Sequence, residues 1–186
     1  MAEDYLLEFG EPSLTEGGPT KFELEGESKD KEHPKTIELL SFSWGVHAHS
    51  YAPTNEVTRK RQHEELACTG YVSKASPKLA EALVNNKNFK KVTLYVRKAV
   101  GEAYKRDYLK IILENVRVSK YAVNGVADLG EHPNIQIGGR SGTTYPLPLD
   151  RFSLSYNKIK LEYREQLKGG NLDAPVLFED NWGAQI

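Results

Sequence analysis

The stretch IELLSFSWGV, residues 37–46, decides the fold of this chain. Large apolar side chains fall at every second position: Leu40, Phe42, Trp44 and Val46. Small residues occupy the positions between them: Ser41, Ser43 and Gly45. This two-residue period is typical of a β-strand with one buried face. We therefore predict a strand that places Phe42 and Trp44 in the core and presents a small, polar opposite face.

Four further stretches alternate in the same way. The predicted strands cover residues 66–72, 89–100, 108–121 and 151–165. In the last two, the apolar parity changes partway along the stretch, which a β-bulge explains by inserting one residue. Residues 75–86 have helical spacing instead, with Ser76 suited to the cap and Pro77 to the first turn. These elements predict a mainly β chain, an antiparallel β-barrel or tight sandwich with one flanking α-helix.

Polar segments lie between and after these elements. Residues 122–150 contain the turn-rich runs NGVADLGEHP and GGRSGTTYPLPL, so we predict a long exposed loop there. The run RKRQHEE at 59–65 mixes both charge signs and is interpreted as a solvated loop. Residues 168–186 are predicted to form a weakly ordered tail. A length of 186 residues fits one domain, 1–186.

Composition excludes several classes of protein. The chain is 39% hydrophobic and 27% charged, which fits a globular protein and argues against a disordered chain. Lys and Arg total 25 against 26 Asp and Glu, so the positive excess that favours nucleic acid is missing. No stretch approaches the ~20 apolar residues of a membrane helix. We expect neither nucleic acid nor membrane as a partner.

Cysteine usage and the first residues bear on localisation. Cys68 is the only cysteine, so no intrachain disulfide can form, and we expect folding in the cytoplasm. The start MAEDYLLEFGEP lacks the basic and apolar regions of a signal peptide. Any export is therefore expected to proceed without a cleaved signal.

From the candidate motifs in the sequence, we predict no catalytic residue, no cofactor and no metal. His47 and His49 would share one strand face, but no further ligand completes a set. The run GGRSGTT at 138–144 lacks the Lys and the following helix of a phosphate loop. Cys68 lies in strand-like alternation, where a small buried residue is the better interpretation than a nucleophile. We expect a protein that is not an enzyme.

Several segments, in this order and spacing, together resemble one family. They are GESKDKEH at 26–33, IELLSFSWGV at 37–46, KASPKLAEAL at 74–83, VTLYVRKA at 92–99, YLKIILENVRVS at 108–119 and FSLSYNKIKLEYREQ at 152–166. The chain resembles the haemolysin-coregulated protein (Hcp) family, the tube proteins of type VI secretion. At the N-terminus, residues 1–25 look extended, and either DYLLEF or KFELE could supply the family's first strand.

The resemblance implies a β-barrel, a homohexameric ring, and stacking of rings into a tube that a contractile sheath propels. It implies the VgrG-type spike protein and small effectors as partners, and secretion to the extracellular space or a target cell. A phage-like tail tube protein is the alternative function. On the tube interpretation, Ser41, Ser43 and Gly45 either line the cargo-bearing lumen or meet solvent or a neighbouring subunit.

Overall fold

The computed structural model describes residues 3–10, 22–51, 56–100, 104–125, 147–167 and 172–181. The strands are β1 (Glu3–Phe9), β2 (Ile37–Ser43), β3 (Val46–Tyr51), β4 (Glu56–His63), β5 (Leu66–Tyr71), β6 (Asn88–Val100), β7 (Tyr104–Asn124), β8 (Leu149–Ser155), β9 (Lys158–Tyr163) and β10 (Val176–Asn181). The helix of the described ranges is α1 (Ser76–Val84).

Six strands close into an antiparallel barrel, as the sequence predicted. Their order is β7-β6-β1-β2-β5-β8, and a direct β7–β8 pairing closes the circuit. The strands β9 and β10 continue the sheet outward from the first half of β7. The barrel interior is filled by fully buried side chains, including Leu7, Leu66, Phe89, Leu94, Leu113 and Leu154. Burial of these apolar side chains is the main stabilising contribution.

Along one edge, the long strand β7 pairs with two different strands, one for each half of its length. Leu109 to Glu114 pair with β9, whereas Arg117 to Asn124 pair with β8. Asn115 lies between the two halves and has a φ of 55°, a left-handed conformation that Asn tolerates better than most residues. The buried face changes there from Leu113 to Val116. The change of face follows the prediction, but its cause differs: pairing with β6 keeps its register across Asn115, so no extra residue is inserted.

The predicted strand 151–165 forms two strands instead of one. β8 ends at Ser155 and β9 begins at Lys158. The amide of Asn157, between them, donates to the carbonyl of Glu114 at 3.1 Å. The face that carries the apolar residues changes across this break, because β8 pairs with the second half of β7 and β9 pairs with the first half.

The helix α1 lies within the predicted range. Leu79 and Ala82 are fully buried, and Pro77 stands in the first turn, as expected. The capping prediction for Ser76 is wrong: Ala75 is the cap residue and makes no side-chain cap hydrogen bond. The Ser76 hydroxyl instead donates to the buried carboxylate of Asp150.

The structure decides one alternative that the sequence left open and differs from the sequence prediction in three segments. DYLLEF forms β1, between β2 and β6, whereas KFELE forms no strand within its described residues. The polar stretch after residue 45 forms a separate hairpin of β3 and β4, so residues 59–63 are strand and not loop. The tail contains β10, which pairs with β9. β7 extends to Asn124 and β8 begins at Leu149, so both ends of the predicted 122–150 loop are strand, and residues 126–146 lie outside the described residues.

Candidate functional site

The outer face of β2 is small and exposed. Ser41 and Ser43 are both exposed, and they pair in register with Thr69 and Ala67 of β5. Gly45 is half-buried, and a Cβ there would lie 3.0 Å from a carboxylate oxygen of Glu64. Any larger residue at position 45 would therefore displace that side chain. This part of the barrel surface offers hydroxyl groups and little bulk.

The large side chains that alternate with these small residues along the strand pack against the barrel core. Phe42 is half-buried and meets Tyr5 edge-on, with ring centroids 5.2 Å apart. Trp44 is half-buried and donates its indole N–H to the hydroxyl of Tyr156 at 2.5 Å. Leu40 is half-buried and Val46 is 43% exposed, so the alternation predicted for 37–46 does not persist over its whole length. The pairing of β2 with β5 shifts between Leu39 and Ser41, which explains why Ile37 and Leu39 point inward instead.

The acidic turn GESKDKEH, residues 26–33, is held on the barrel by Arg97. This guanidinium is 3% exposed and contacts the carboxylates of Asp30 at 2.5 Å, of Glu32, and of Asp107 at 3.1 Å. Burial alone would raise the pKa of Asp30, but the amides of His33 and Glu32 and the Arg97 guanidinium lower it below its usual value. The turn is therefore a fixed part of the surface.

His33 completes this attachment. Its ring stacks on Tyr95 with centroids 3.9 Å apart, and its Nε2 lies 3.0 Å from the carboxylate of Asp107. Potential metal-ligand atoms of Glu32, His33 and Asp107 lie within 4.8 Å of one another. Both carboxylates already contact Arg97, and Asp107 also contacts Lys110 at 3.3 Å. Three cationic or imidazole groups thus occupy this cluster, which favours a structural role over metal binding.

The sequence did not predict that Arg97 is buried, because strand alternation places its side chain on the sheet face opposite to that of the buried Val96. Arg97 keeps the outer face that alternation predicts, in unbroken register with β1, and it is buried because the 26–33 turn packs over it. No local pattern in the sequence indicates that the turn covers this position. The 26–33 turn carries Glu27, Asp30 and Glu32 beside Lys29 and Lys31, so its charges are nearly balanced locally and do not indicate a distant cationic partner.

The other reactive candidates occupy structural positions. Cys68 is 3% exposed, and burial raises the pKa of its thiol, which disfavours the nucleophilic thiolate. His47 is exposed, with Nδ1 4.0 Å from Glu64, whereas the side chain of His49 lies outside the described residues. The run 138–144 also lies outside them. In the described ranges, no helix has the length and apolarity to cross a membrane.

Known proteins resemble this chain in sequence and in fold. The family model described as "Type VI secretion system effector, Hcp" matches residues 14–163. Protein hcp1 of Pseudomonas aeruginosa is 28% identical over 159 residues, covering 84% of this chain and 88% of that protein.

Two solved structures share the fold. One, titled "Structure of a type six secretion system protein", has a TM-score of 0.71 at 22% identity and covers 94% of this chain and 92% of its own. Hcp1 from Salmonella typhimurium has a TM-score of 0.67 at 24% identity and covers 99% and 97%. These structures support the barrel architecture, and the family match extends over most of the chain. The protein therefore belongs to the Hcp family of type VI secretion system effectors.

Proposed function

We propose that this protein is the structural subunit of the type VI secretion inner tube. Six copies close into a ring, and rings stack into a tube that is exported with effector or spike cargo. The observation that carries the proposal is the Hcp family match across residues 14–163, on a chain that folds as a closed barrel. Head-to-tail contacts between identical barrels generate a closed ring when the rotation from one copy to the next divides a full turn into equal parts.

The face of Ser41, Ser43 and Gly45 is proposed to line the ring lumen. Its two serines are exposed, and their register neighbours Ala67 and Thr69 are also small. A small surface leaves room in a channel, and hydroxyl groups can both donate and accept hydrogen bonds with a guest. The half-buried Phe42 and Trp44 anchor the strand from behind. Cargo thus meets a rigid strand with short side chains.

The proposed partners follow from this role. They are further copies of the chain, a VgrG-type spike protein, small effectors and the contractile sheath. We propose a structural rather than an enzymatic role, which is supported by the burial of Cys68 and by the contacts of His33 and His63 with the carboxylates of Asp107 and Asp180. The proposed route is synthesis in the cytoplasm and delivery outside the cell or into a target cell.

Electron microscopy of the purified protein tests the proposal. Negatively stained particles should give end-on views with six-fold symmetry and a central hole. Side views at high protein concentration should include stacks of such rings. Fields that contain only single barrels, at every concentration and salt condition, would contradict the proposed tube.

A further inference from the structure

The face that carries Ser41 and Ser43 extends beyond β2 over three more strands. The strand register places Thr69 and Ala67 of β5 beside these serines, and β5 pairs in turn with β8. The second half of β7 pairs with the other edge of β8 and completes the surface. We call this surface the serine face, and it consists of the outward side chains of residues 41–43, 66–71, 117–124 and 149–155. The proposed lumen surface is therefore a four-stranded sheet and not a single strand.

The serine face carries positive charge without exposed negative charge. Its four segments contain three basic residues, Arg117, Lys120 and Arg151. The acidic residue of these segments, Asp150, is 3% exposed and accepts hydrogen bonds from two hydroxyl groups. Arg151 is half-buried and interacts within the chain. Arg117 and Lys120 are exposed, and no carboxylate of the described residues lies within 4.0 Å of either cation. These two cations are therefore open to a partner.

Two acidic residues border the serine face on the far side from these cations. Glu64 and Glu65 directly precede β5. Because β8 lies between β5 and β7, two strand spacings, about 10 Å in all, separate them from Arg117 and Lys120. This separation is about the Debye length at physiological salt, so the attraction between these exposed charges is largely screened. The bordering carboxylates therefore do not neutralise the two cations.

A β-bulge brings both cations onto the same face. Alternation alone would place residues 117 and 120 on opposite faces, because they are three positions apart. The pairing of β7 with β8 shifts just before Lys120, so Arg117 and Lys120 both lie on the outer face, each opposite a serine of β8. The hydroxyl of Ser119, the inserted residue, donates to the carbonyl of Ser153 at 3.1 Å. The bulge thus concentrates positive charge at one place on the serine face.

The outer surface of β9 and its neighbours shows a different arrangement. Lys158 lies 2.7 Å from the carboxylate of Glu179 and 4.0 Å from that of Glu114. Arg164 contacts the carboxylate of Glu162 at 3.1 Å. These cations are matched by carboxylates of their own chain, whereas the two cations of the serine face are not. Neighbouring like charges on a sheet are destabilising, so a negatively charged partner would stabilise the serine face.

We propose that the serine face binds acidic effectors, with Arg117 and Lys120 as the groups that attract their carboxylates. The inference rests on the proposed tube function, in which six copies repeat the two cations around the lumen. Charges across an interface favour partners of opposite sign and disfavour partners of the same sign. The neighbouring serine hydroxyls can donate further hydrogen bonds to a carboxylate. Single-stranded nucleic acid is the poorer match, because serines and not base-stacking aromatic rings lie opposite the two cations on β8.

Binding of charged model peptides to the purified protein tests the proposal. The probes are fluorescent oligo-glutamate, oligo-lysine and glycine–serine peptides of equal length, and fluorescence anisotropy measures their affinities. Oligo-glutamate should bind most tightly, and its affinity should fall with added salt because the attraction is screened. In Arg117→Gln/Lys120→Gln, its affinity should fall about tenfold or more, since several copies of the ring hold one probe together.

Two further variants separate the serine face from the net charge of the protein. Lys98→Gln/Arg106→Gln is the matched control, because it also removes one lysine and one arginine, which lie opposite each other where β6 pairs with the first half of β7. Its affinity for oligo-glutamate should stay close to that of the unmodified protein. Arg117→Glu/Lys120→Glu reverses the charge of the face and should transfer the preference to oligo-lysine. Equal losses of affinity in the matched control and in Arg117→Gln/Lys120→Gln would overturn the proposal.

Native mass spectrometry of each variant separates this inference from the tube function. If the ring forms and Arg117→Gln/Lys120→Gln still binds oligo-glutamate as tightly as the unmodified protein, the inference fails and the tube stands. Loss of the ring in that variant would assign the face to a contact between subunits and overturn the inference. Tighter binding of oligo-thymidylate than of oligo-glutamate would overturn it in favour of nucleic acid.

A strictly monomeric unmodified protein would contradict the tube function by itself. Oligo-glutamate binding that depends on Arg117 and Lys120 would then still support an acid-binding face. Absence of that binding in a monomeric protein would contradict both proposals.

Discussion

The indole of Trp44 donates a hydrogen bond to the hydroxyl of Tyr156, with the two atoms 2.5 Å apart and the residues 112 positions apart in the chain. This contact joins the end of β2 to the junction of β8 and β9. It also fixes the strand whose other face presents Ser43. Fold stability and the proposed lumen surface therefore depend on the same strand.

Trp44→Ala should lower the free energy of unfolding by about 2 to 3 kcal/mol, less than for a fully buried tryptophan because Trp44 is half-buried. Trp44→Phe keeps an aromatic ring but removes the N–H, so it should cost about 1 kcal/mol. Urea unfolding followed by circular dichroism measures both values. Equal losses for the two variants would contradict a separate contribution from the hydrogen bond.

Replacement of Arg97 should be more costly. Arg97→Leu leaves Asp30, Glu32 and Asp107 without their shared cation, and breaking such a buried pair costs about 3 to 5 kcal/mol. Arg106→Leu is the matched control, because Arg106 is an exposed residue of the neighbouring strand β7, and it should change stability by about 0.5 kcal/mol or less. The urea midpoints of the two variants, compared with that of the unmodified protein, measure the two changes in stability. A small effect at Arg97 would mean that the 26–33 turn is not held by this cluster.

The Cys68 thiol should be unreactive in the folded protein. Its burial and raised pKa both reduce the population of the accessible thiolate. A colorimetric disulfide reagent at pH 8 should react about a hundredfold or more slowly with the native chain than with the chain in denaturing urea. Fast reaction in the absence of urea would contradict the position of Cys68 in the core.

Ser43→Gln tests the proposed lumen face. The change adds bulk without charge to an exposed position, so ring mass and thermal stability should remain close to those of the unmodified protein. Retention of a co-expressed effector, measured by co-purification, should fall. Ser43→Ala is the control for the hydroxyl alone and should retain more cargo than Ser43→Gln. Disruption of the ring, or unchanged retention with several effectors, would exclude the lumen position.

Local patterns predicted the barrel well because its strands bury one face each. The alternation of Phe42 and Trp44, the change of parity at Asn115 and the helical spacing around Leu79 all follow from which side chains the core can accept. The helix and the change of parity lie where those patterns expect them, but Phe42 and Trp44 are only half-buried, and the register shift after Leu39 makes Ile37 and Leu39 the buried residues of β2.

The polar clusters could not be predicted in the same way. The side chains of Arg97 and Asp30 are 67 positions apart, and those of Arg61 and Asp180 are 119 positions apart. Their meeting depends on the closed topology and on the packing of the 26–33 turn over β6, neither of which leaves a local signal. The hairpin of β3 and β4 was missed because its polar residues lack the apolar alternation that marks a half-buried strand.

Native mass spectrometry tests the central claim most directly. The purified protein, sprayed at micromolar concentration from volatile buffer over a range of ionic strengths, should give a dominant species of six times the chain mass. That hexamer is what a ring-forming tube subunit requires. A spectrum that remains strictly monomeric across the whole salt range would contradict the proposed function.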